Sequence, residues 1–539
     1  MTHKQTDRRA MASIHANGMH GQEETSMAKR EIRLINYIAY GSNDFLGAGA
    51  MALMAAWLLY FYTTFCGLSP VEATSIFAVA RVVDAIASPL MGYISDNFHR
   101  TWLGRRFGRR KFFIMIAIPL VMCYALIWVS GMSYWYYLAS YVLFELVYSM
   151  VLVPYETLAA EMSPDFKVKA KFAGARILTG QISAIVAGFL PGRLVEALGK
   201  DSPMTFFYAG LIFASIFVCV VSLLYTFTWE RPYEEIIENE DDTRLGFGQS
   251  MKKLVVDLSS TFRIRAFRQH LGMYLGGYIS QDTFNAVFTY FVVFALASDA
   301  KHASNLLGVM AIVQFIAVSL FIPLCLRINA APAYRIAVSL FGLAVVGYFV
   351  LYMNMPAAIG VLLYVPTLIA GLGRGGLNYI PWNTYNYMAD VDQIVTGRRR
   401  EGIFAGVMTF VRKASQAGAV MIVGLILQAS GFVSGQAAQS PETIATIVNV
   451  MLYVTVAILA TGFVISLRFR LTRQSHAVLM AEIEHLKQGG RTPTSQAARE
   501  TVEALSGWRY EQLWGNNTVG YRAGAEVPVA EVRRAGSPA

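Results

Sequence analysis

The sequence predicts an all-helical membrane protein with about twelve transmembrane helices. Three observations lead to this prediction. Hydrophobic residues make up 55% of the 539 residues, charged residues only 15%, and the mean hydropathy is +0.44. A soluble domain carries about 25% charged residues. The apolar runs also reach about 20 residues or more, the length that crosses a bilayer. We therefore expect the lipid bilayer to be the main surrounding of the chain.

The net charge of +10 does not indicate nucleic-acid binding. A nucleic-acid-binding protein gathers Lys and Arg on a folded soluble face, whereas here these residues sit between the apolar runs. The four cysteines lie in or beside apolar runs without a CxxC pair, so we expect free thiols, no metal site and no cofactor. The runs contain neither HExxH nor GxSxG, which argues against a membrane-embedded enzyme.

Apolar runs define the helices in chain order. They cover about 38–64, 71–95, 112–131, 134–160, 172–198, 204–228, 268–297, 304–326, 333–353, 358–388, 402–430 and 443–468. The connections around Gly67, Gly131 and Met355 are so short that their flanking helices must be antiparallel neighbours.

A repeat divides the chain into two halves. Val153-Pro-Tyr-Glu-Thr157 in the fourth run matches Ile380-Pro-Trp-Asn-Thr384 in the tenth, and Ala173-Gly174 in the fifth matches Ala405-Gly406 in the eleventh. Chance rarely produces two ordered matches at nearly one offset. Parallel six-helix repeats with a substrate site between them are how major facilitator transporters are built. We therefore expect the major facilitator fold, with 12 transmembrane helices in two six-helix halves.

The domain boundaries follow from this division. The predicted segments are an N-terminal arm at 1–37, a first half at 38–228, a linker at 229–267, a second half at 268–470 and a largely disordered tail at 471–539. A short amphipathic helix near 477–487 is expected within the tail. Residues 1–26 are polar, so Met27 is an alternative start of the protein.

Lys and Arg residues predict the orientation. The connections after even-numbered helices hold most of them: Arg100, Arg105, Arg106, Arg109, Arg110, Lys111, Lys167, Lys169, Lys171, Arg327, Arg398, Arg399 and Arg400. The opposite connections hold little beyond Arg193, Lys200 and Lys301. Because short cytoplasmic loops are enriched in Lys and Arg, we expect both termini in the cytoplasm and the protein in the plasma membrane, the inner membrane of a bacterium.

Ionisable residues inside predicted helices are candidates for function, because a bilayer penalises them unless they are paired or hydrated. The candidates are Asp44, Asp84, Glu156, Arg176, Asp282 and Lys413. If they face a shared cavity, their carboxylates accept hydrogen bonds from hydroxyls or bind a cation, and the arginine donates in return. Ion pairs that only hold helices together are the alternative. Glu145 is expected nearer the outer end or the lipid.

Several motifs carry a family resemblance that covers about 35–470. They are Gly41-Ser-Asn-Asp-Phe45, Gly67-Leu-Ser, Ala80-Arg-Val-Val-Asp-Ala-Ile-Ala-Ser-Pro-Leu-Met-Gly92, Arg105-Arg-Phe-Gly-Arg-Arg-Lys111, Pro154-Tyr155, Met388-Ala-Asp390 and Thr396-Gly-Arg-Arg-Arg-Glu-Gly402. Together they resemble the glycoside, pentoside and hexuronide cation symporter family of the major facilitator superfamily.

The resemblance implies a sugar site. Asp44 and Arg176 match the acidic and basic residues that hold sugar hydroxyls, and Lys413 matches a lysine near that site. Trp382 falls close to an aromatic residue of the family's site. The family's acid in the fourth helix falls at Leu152 here, while Glu156 appears one turn further on.

Two further residues are candidates on their own pattern. Tyr155, like Trp382, sits beside a proline of the repeat, where a ring either stacks on a sugar or only packs. Asp282 belongs to a polar stripe that we expect to face the cavity.

The resemblance also implies a cation site and a gate. Asp84 matches the first carboxylate of the cation site, but Ser88 stands where the family has a second. Since Na⁺ needs several hard oxygen ligands, a site made of Asp84, Ser88 and Ser149 favours H⁺ over Na⁺ as the coupling ion. The predicted gate, a clamp at the inner helix ends, consists of Asp96, Arg106, Arg109 and Arg110.

These observations predict a monomeric secondary transporter of a glycoside, oligosaccharide or hexuronide that works by alternating access. A lysolipid carrier of the same fold and an uncoupled facilitator are the alternatives.

Overall fold

The computed structural model describes most of the chain. The described residues are 31–163, 165–199, 202–230, 256, 258–355, 357–398, 400–517 and 519. Within these ranges the regular secondary structure is helical, which confirms the predicted fold class. The expectations for Met27, for most of the N-terminal arm, for the middle of the linker and for 520–539 concern residues outside the described ranges.

The N-terminal half is a bundle of long helices joined by short turns. They are α1 (Leu34–Thr64), α2 (Pro70–Asn97), α3 (Lys111–Trp128), α4 (Tyr134–Met162), α5 (Phe166–Leu198) and α6 (Met204–Phe227). Helix α2 begins with a capping box, in which Ser69 and Glu72 satisfy each other's backbone N–H groups. Helix α1 is interrupted by a π-helical turn at Phe45–Gly49.

The C-terminal half repeats this arrangement. Its long helices are α7 (Arg265–Tyr290), α8 (Ala300–Ile328), α9 (Ala330–Asn354), α10 (Tyr364–Tyr385), α11 (Glu401–Ala429) and α12 (Pro441–Arg468). A π-helical turn, Phe291–Ala295, extends α7, and a short helix, Met388–Thr396, follows α10.

Eleven helices of the described chain are long and apolar enough to cross a membrane, so the protein is a multi-pass membrane protein. Helix α7 is not among them. It carries polar residues along its length but is buried through most of it, so few of its side chains need to be compatible with lipid. The count of twelve spans remains a prediction from the sequence.

The two halves meet near the ends of α1 and α7. The Tyr290 hydroxyl lies 2.6 Å from Thr63 Oγ1, and Thr289 Oγ1 donates to the Ala56 carbonyl at 3.1 Å. Helices α5 and α8 also touch closely, because a Cβ on Gly188 would lie 2.8 Å from the backbone of Gly308. We call the end of the bundle that carries these contacts the closed face.

A polar tail covers the other end of the bundle, and here the structure contradicts the expectation of a largely disordered segment. Residues Arg473–Lys487 form α13, and Gln496–Ser506 form α14. His476 Nε2 lies 2.9 Å from Asp390 Oδ2, and the Trp514 N–H donates to the Ile394 carbonyl at 2.8 Å. We call this end of the bundle the tail face.

The tail folds because its few apolar residues recur at helical spacing. Leu479, Ile483 and Leu486 form one buried stripe on α13, while Val502 and Leu505 form another on α14. The polar composition of the segment hides this stripe in a sequence reading, since composition counts residues without regard to which face they occupy.

Candidate transport site

Asp44 lies where α1 leaves regular α-helical geometry. The π-helical turn follows it directly, and such turns are frequent at functional sites. Two glycines make room for the carboxylate, because a Cβ at Gly47 or at Gly180 on α5 would clash with its oxygens. The local sequence therefore allows α1 and α5 to approach each other with an acid between them.

Arg176 on α5 is the partner of Asp44. Its Nε donates to Asp44 Oδ1 at 3.2 Å, and its Nη2 lies 3.5 Å from Glu156 Oε1 on α4. The side chains of Glu156 and Arg176 are 57% and 34% exposed, although both lie well inside long helices. The structure thus brings three predicted residues together at the wall of an open cavity, where they offer both acceptors and donors to a polar ligand.

The two predicted aromatic residues have different surroundings. The Tyr155 ring is fully buried, packs on Tyr40 at 4.4 Å between centroids and lies 5.4 Å below the Arg176 guanidinium. A ring without an exposed face cannot stack on a ligand, so the stacking hypothesis for Tyr155 is wrong and its role is to support Arg176. Trp382 is 42% exposed and donates its indole N–H to the Tyr278 hydroxyl at 3.1 Å.

Asp84 on α2 gathers the predicted cation-coupling residues. Its Oδ1 accepts from Ser88 Oγ at 2.9 Å and from Ser149 Oγ on α4 at 2.8 Å. Its Oδ2 lies 2.6 Å from Lys413 Nζ on α11, and this ion pair joins the two halves. Lys413, which we expected in the sugar site, therefore belongs to the Asp84 group in this structure, because its ammonium meets a fully buried carboxylate.

A buried arginine extends the Asp84 group. Arg81 Nη1 lies 3.4 Å from Glu145 Oε1 and 3.8 Å from Asp84 Oδ2. Glu145 is fully buried rather than near the outer end or the lipid, so that expectation is wrong. The physical reason is charge: a carboxylate facing α2 gains the guanidinium of Arg81, which lipid does not offer.

The C-terminal half holds its own ion pair. Arg412 on α11 binds Asp282 on α7 through both terminal nitrogens, at 2.6 and 2.9 Å. Its guanidinium lies 4.8 Å from the Tyr278 ring centroid, and Gln416 is 3.5 Å from Asp282 Oδ1. Asp282 also lines a small cavity together with Met54, Phe77 and other residues of the N-terminal half. The pair therefore lies at the boundary between the halves.

The predicted gate forms in part at the tail face. Arg110 Nη2 binds Asp96 Oδ1 at 2.6 Å, and both Arg109 and Arg110 bind the Glu161 carboxylate at the end of α4. Glu230 accepts hydrogen bonds from the backbone of the same loop. Arg106 stacks instead on Trp102 and Phe107. The structure thus links three of the four predicted residues and leaves Arg106 outside the clamp.

Sequence reasoning assigned no role to Arg81, Arg412 or Glu161. A second internal repeat was available as a signal for the Arg412 pair: Tyr40-Gly-Ser-Asn-Asp44 in α1 matches Tyr278-Ile-Ser-Gln-Asp282 in α7. Because α1 corresponds to α7 and α5 to α11, an arginine on α5 that holds Asp44 predicts an arginine on α11 that holds Asp282. No comparable pattern indicates Glu161.

Comparison with known proteins decides the family. The profile of a family described as MFS/sugar transport protein matches residues 39–473. The chain belongs to that family. The resemblance to the glycoside, pentoside and hexuronide cation symporters is thereby confirmed, and so is the prediction of a transporter rather than an enzyme.

Other members of the MFS/sugar transport family align with most of the chain. The glucuronide carrier protein homolog of Escherichia coli K12 is 24% identical and covers 84% of this chain and 95% of its own length. The isoprimeverose transporter of Lactiplantibacillus pentosus is 25% identical, with 83% and 90% covered. The sodium-dependent lysophosphatidylcholine symporter 1-A of Danio rerio is 20% identical, with 75% and 79% covered.

Solved structures share the fold. The crystal structure of the nucleoside transporter NupG superposes with a TM-score of 0.53 and 15% identity over 80% of this chain and all of that one. At this identity the likeness concerns the fold alone.

Proposed function

We propose that this protein is a secondary transporter that moves a sugar across the membrane by alternating access and couples it to H⁺. The observation that carries the proposal is the half-exposed Asp44, Arg176 and Glu156 group, which lies inside the bundle at the wall of an open cavity. A guanidinium beside carboxylates suits a ligand whose hydroxyl groups both donate and accept. The sugar-related names of the two bacterial relatives support the same substrate class.

The Asp84 group supports proton coupling over sodium coupling. Its oxygens come from one carboxylate and two serine hydroxyls, and the Lys413 ammonium already lies 2.6 Å from Asp84 Oδ2. A sodium ion would have to replace that ammonium and find further ligands. A proton taken up from water by Asp84 removes the charge that holds Lys413. Protonation therefore loosens a tie between the halves, and deprotonation restores it.

The orientation is part of the proposal. The basic connection that follows α2 lies at the same end of the bundle as the tail, and Lys and Arg favour the cytoplasmic side. We therefore place the tail face in the cytoplasm, with the cavity open toward it. The closed face then lies toward the outside, and the transporter works as a monomer.

Uptake into proteoliposomes tests the proposal. We expect an imposed pH gradient to drive accumulation of at least one labelled sugar from a panel of glycosides, disaccharides and hexuronides, while a Na⁺ gradient without a pH gradient does not. Asp84→Asn removes the titratable carboxylate, so we expect it to abolish accumulation and to retain exchange of sugar at equilibrium. Ser215→Ala, on the exposed surface of α6, is the control.

Three other outcomes would contradict parts of the proposal. Accumulation driven by Na⁺ would overturn the proton assignment. Equilibration without any gradient, unchanged by Asp84→Asn, would make the protein a facilitator. Transport of lysophosphatidylcholine with no sugar transported would favour the lysolipid alternative, to which the Danio rerio relative points.

A further inference from the structure

Two ion pairs stand in equivalent places in the two halves. Arg176 on α5 binds Asp44 on α1, and Arg412 on α11 binds Asp282 on α7. Each guanidinium also lies over a tyrosine ring, at 5.4 Å in the first pair and 4.8 Å in the second. The same combination of carboxylate, guanidinium and aromatic ring thus occurs twice. We call the two groups the Asp44 cluster and the Asp282 cluster.

The sequence relates the two clusters in the same way. The five-residue match from Tyr40 to Asp44 and from Tyr278 to Asp282 places each acid one turn after a tyrosine. Arg412 lies one turn further along α11 than the Ala405-Gly406 match alone would place the counterpart of Arg176. The Asp282 cluster is thus a displaced copy of the Asp44 cluster.

The aromatic part of the Asp282 cluster faces open space. Tyr278 holds Trp382 through the indole N–H, and Trp382 is 42% exposed. In the Asp44 cluster the corresponding ring, Tyr155, is fully buried. The charged group of the N-terminal half therefore has exposed polar atoms, and the cluster of the C-terminal half has an exposed ring.

The clusters also lie at different depths. The contact between Thr289 and the Ala56 carbonyl places these two residues at one level. At about 1.5 Å per residue, Asp44 lies about 18 Å along α1 from that level, and Asp282 only about 10 Å along α7. The two carboxylates are therefore separated by about 8 Å along the bundle axis, which is more than one pyranose ring bridges while it binds both.

We propose that the Asp282 cluster, with Arg412 and Trp382, is a second sugar-binding subsite, and that the substrate is a glycoside of at least two rings. One ring binds the Asp44 cluster by its hydroxyls, and the next reaches Trp382 and the Asp282 carboxylate. This inference rests on the proposed sugar transport. It adds the length of the substrate and the residues that select for it.

Equilibrium binding to the purified full-length protein tests the subsite. The ligands are a panel of disaccharides, including isoprimeverose and cellobiose, together with their component monosaccharides glucose and xylose. We expect the wild type to bind at least one disaccharide about tenfold or more tightly than either component. We expect Asp282→Asn and Arg412→Gln to remove most of that advantage, with a change of less than about twofold for a monosaccharide.

Control variants separate the subsite from general damage. Ser415→Ala lies on α11 close to Arg412, and its hydroxyl bonds only within its own helix, so we expect unchanged binding. Asp44→Asn should weaken binding of monosaccharides and disaccharides alike. If Asp282→Asn or Arg412→Gln fails to fold, Trp382→Ala replaces it, because that partly exposed side chain can be removed without leaving a buried charge.

The outcomes are distinct. Equal affinity of the wild type for a disaccharide and its components would overturn the inference and leave the sugar proposal standing. Equal losses for both ligand classes in the Asp282 cluster variants would do the same. Binding of no sugar in the panel would remove the proposed function and this inference with it.

Discussion

The two halves of the bundle share a fold but bury their charges differently. In the N-terminal half, Arg81 joins Glu145 and Asp84 into one network without exposed atoms, and Lys413 reaches it from the other half. In the C-terminal half, Arg412 and Asp282 form a bidentate pair of which Arg412 is 19% exposed. The difference teaches where the two tasks lie: a connected, buried network suits ion coupling, while a simple pair near an open cavity suits ligand binding.

The largest expected effect concerns the buried network. Arg81→Met leaves Glu145 without its guanidinium, and removal of one partner of a buried ion pair costs about 3–5 kcal/mol. We expect a lower thermal unfolding midpoint in detergent and less folded protein in the membrane. Replacing Glu145 as well, in Arg81→Met/Glu145→Leu, should recover much of the loss, since an apolar pair of similar size is often tolerated.

An exposed ion pair provides the control for this prediction. Arg193→Met on α5 breaks a contact with Glu196 in which both side chains are more than half exposed, so it should change stability by less than about 1 kcal/mol. Similar midpoints for Arg81→Met and Arg193→Met would mean that the buried network does not stabilise the N-terminal half.

A second prediction concerns the contact between the halves. In Gly188→Ala the new Cβ meets the Gly308 backbone at 2.8 Å, which cannot move aside as a side chain can. We expect the closed face to form less readily and sugar uptake to fall by about tenfold, with the amount of folded protein unchanged. Gly174→Ala on the same helix is the matched control, because its Cβ meets no atom within 4 Å. Equal uptake by the two variants would argue against close packing at this point.

The smallest expected effect lies in the tail. Burial acts to raise the pKa of Glu482, but hydrogen bonds from Thr494 and Tyr510 outweigh it and hold the pKa below its ordinary value. A lowered pKa in the folded state stabilises the tail at neutral pH, and this contribution is lost as the pH falls through the folded-state pKa.

Hydrogen exchange of residues 473–517 measures this contribution. In Glu482→Gln we expect exchange about fivefold faster at pH 7 and the wild-type difference between neutral and acid pH to shrink. The exposed Glu484→Gln on the same helix is the control, and a wild-type pH response in Glu482→Gln would assign the effect to another group.

Much of the fold was predictable because membrane helices leave a strong signal. Apolar runs of bilayer length placed eleven spans of the described chain, and only the buried, polar α7 falls below that threshold of apolarity. The tail was not predicted, since its helices are stabilised by a narrow apolar stripe against the bundle. Local composition carries no information about that contact.

The candidate site was predicted in its acids and less well in its pairings. Asp44 with Arg176, and Asp84 with Ser88 and Ser149, come together in the structure as their positions suggested. The partner of Lys413 and the depth of Glu145 depend on how α2, α4 and α11 are rotated about their axes. Helical periodicity cannot fix that rotation when most faces of a helix are apolar.

The tail offers a practical handle on the motion of the protein. Among the described residues, α13 and α14 touch only the C-terminal half, through contacts such as those with Asn329, Asp390 and Ile394. A fluorophore on α14 and another beside Trp102 would therefore ride on different rigid bodies. Their energy-transfer efficiency would report each opening and closing of the pathway in a single molecule, without a label inside the bundle.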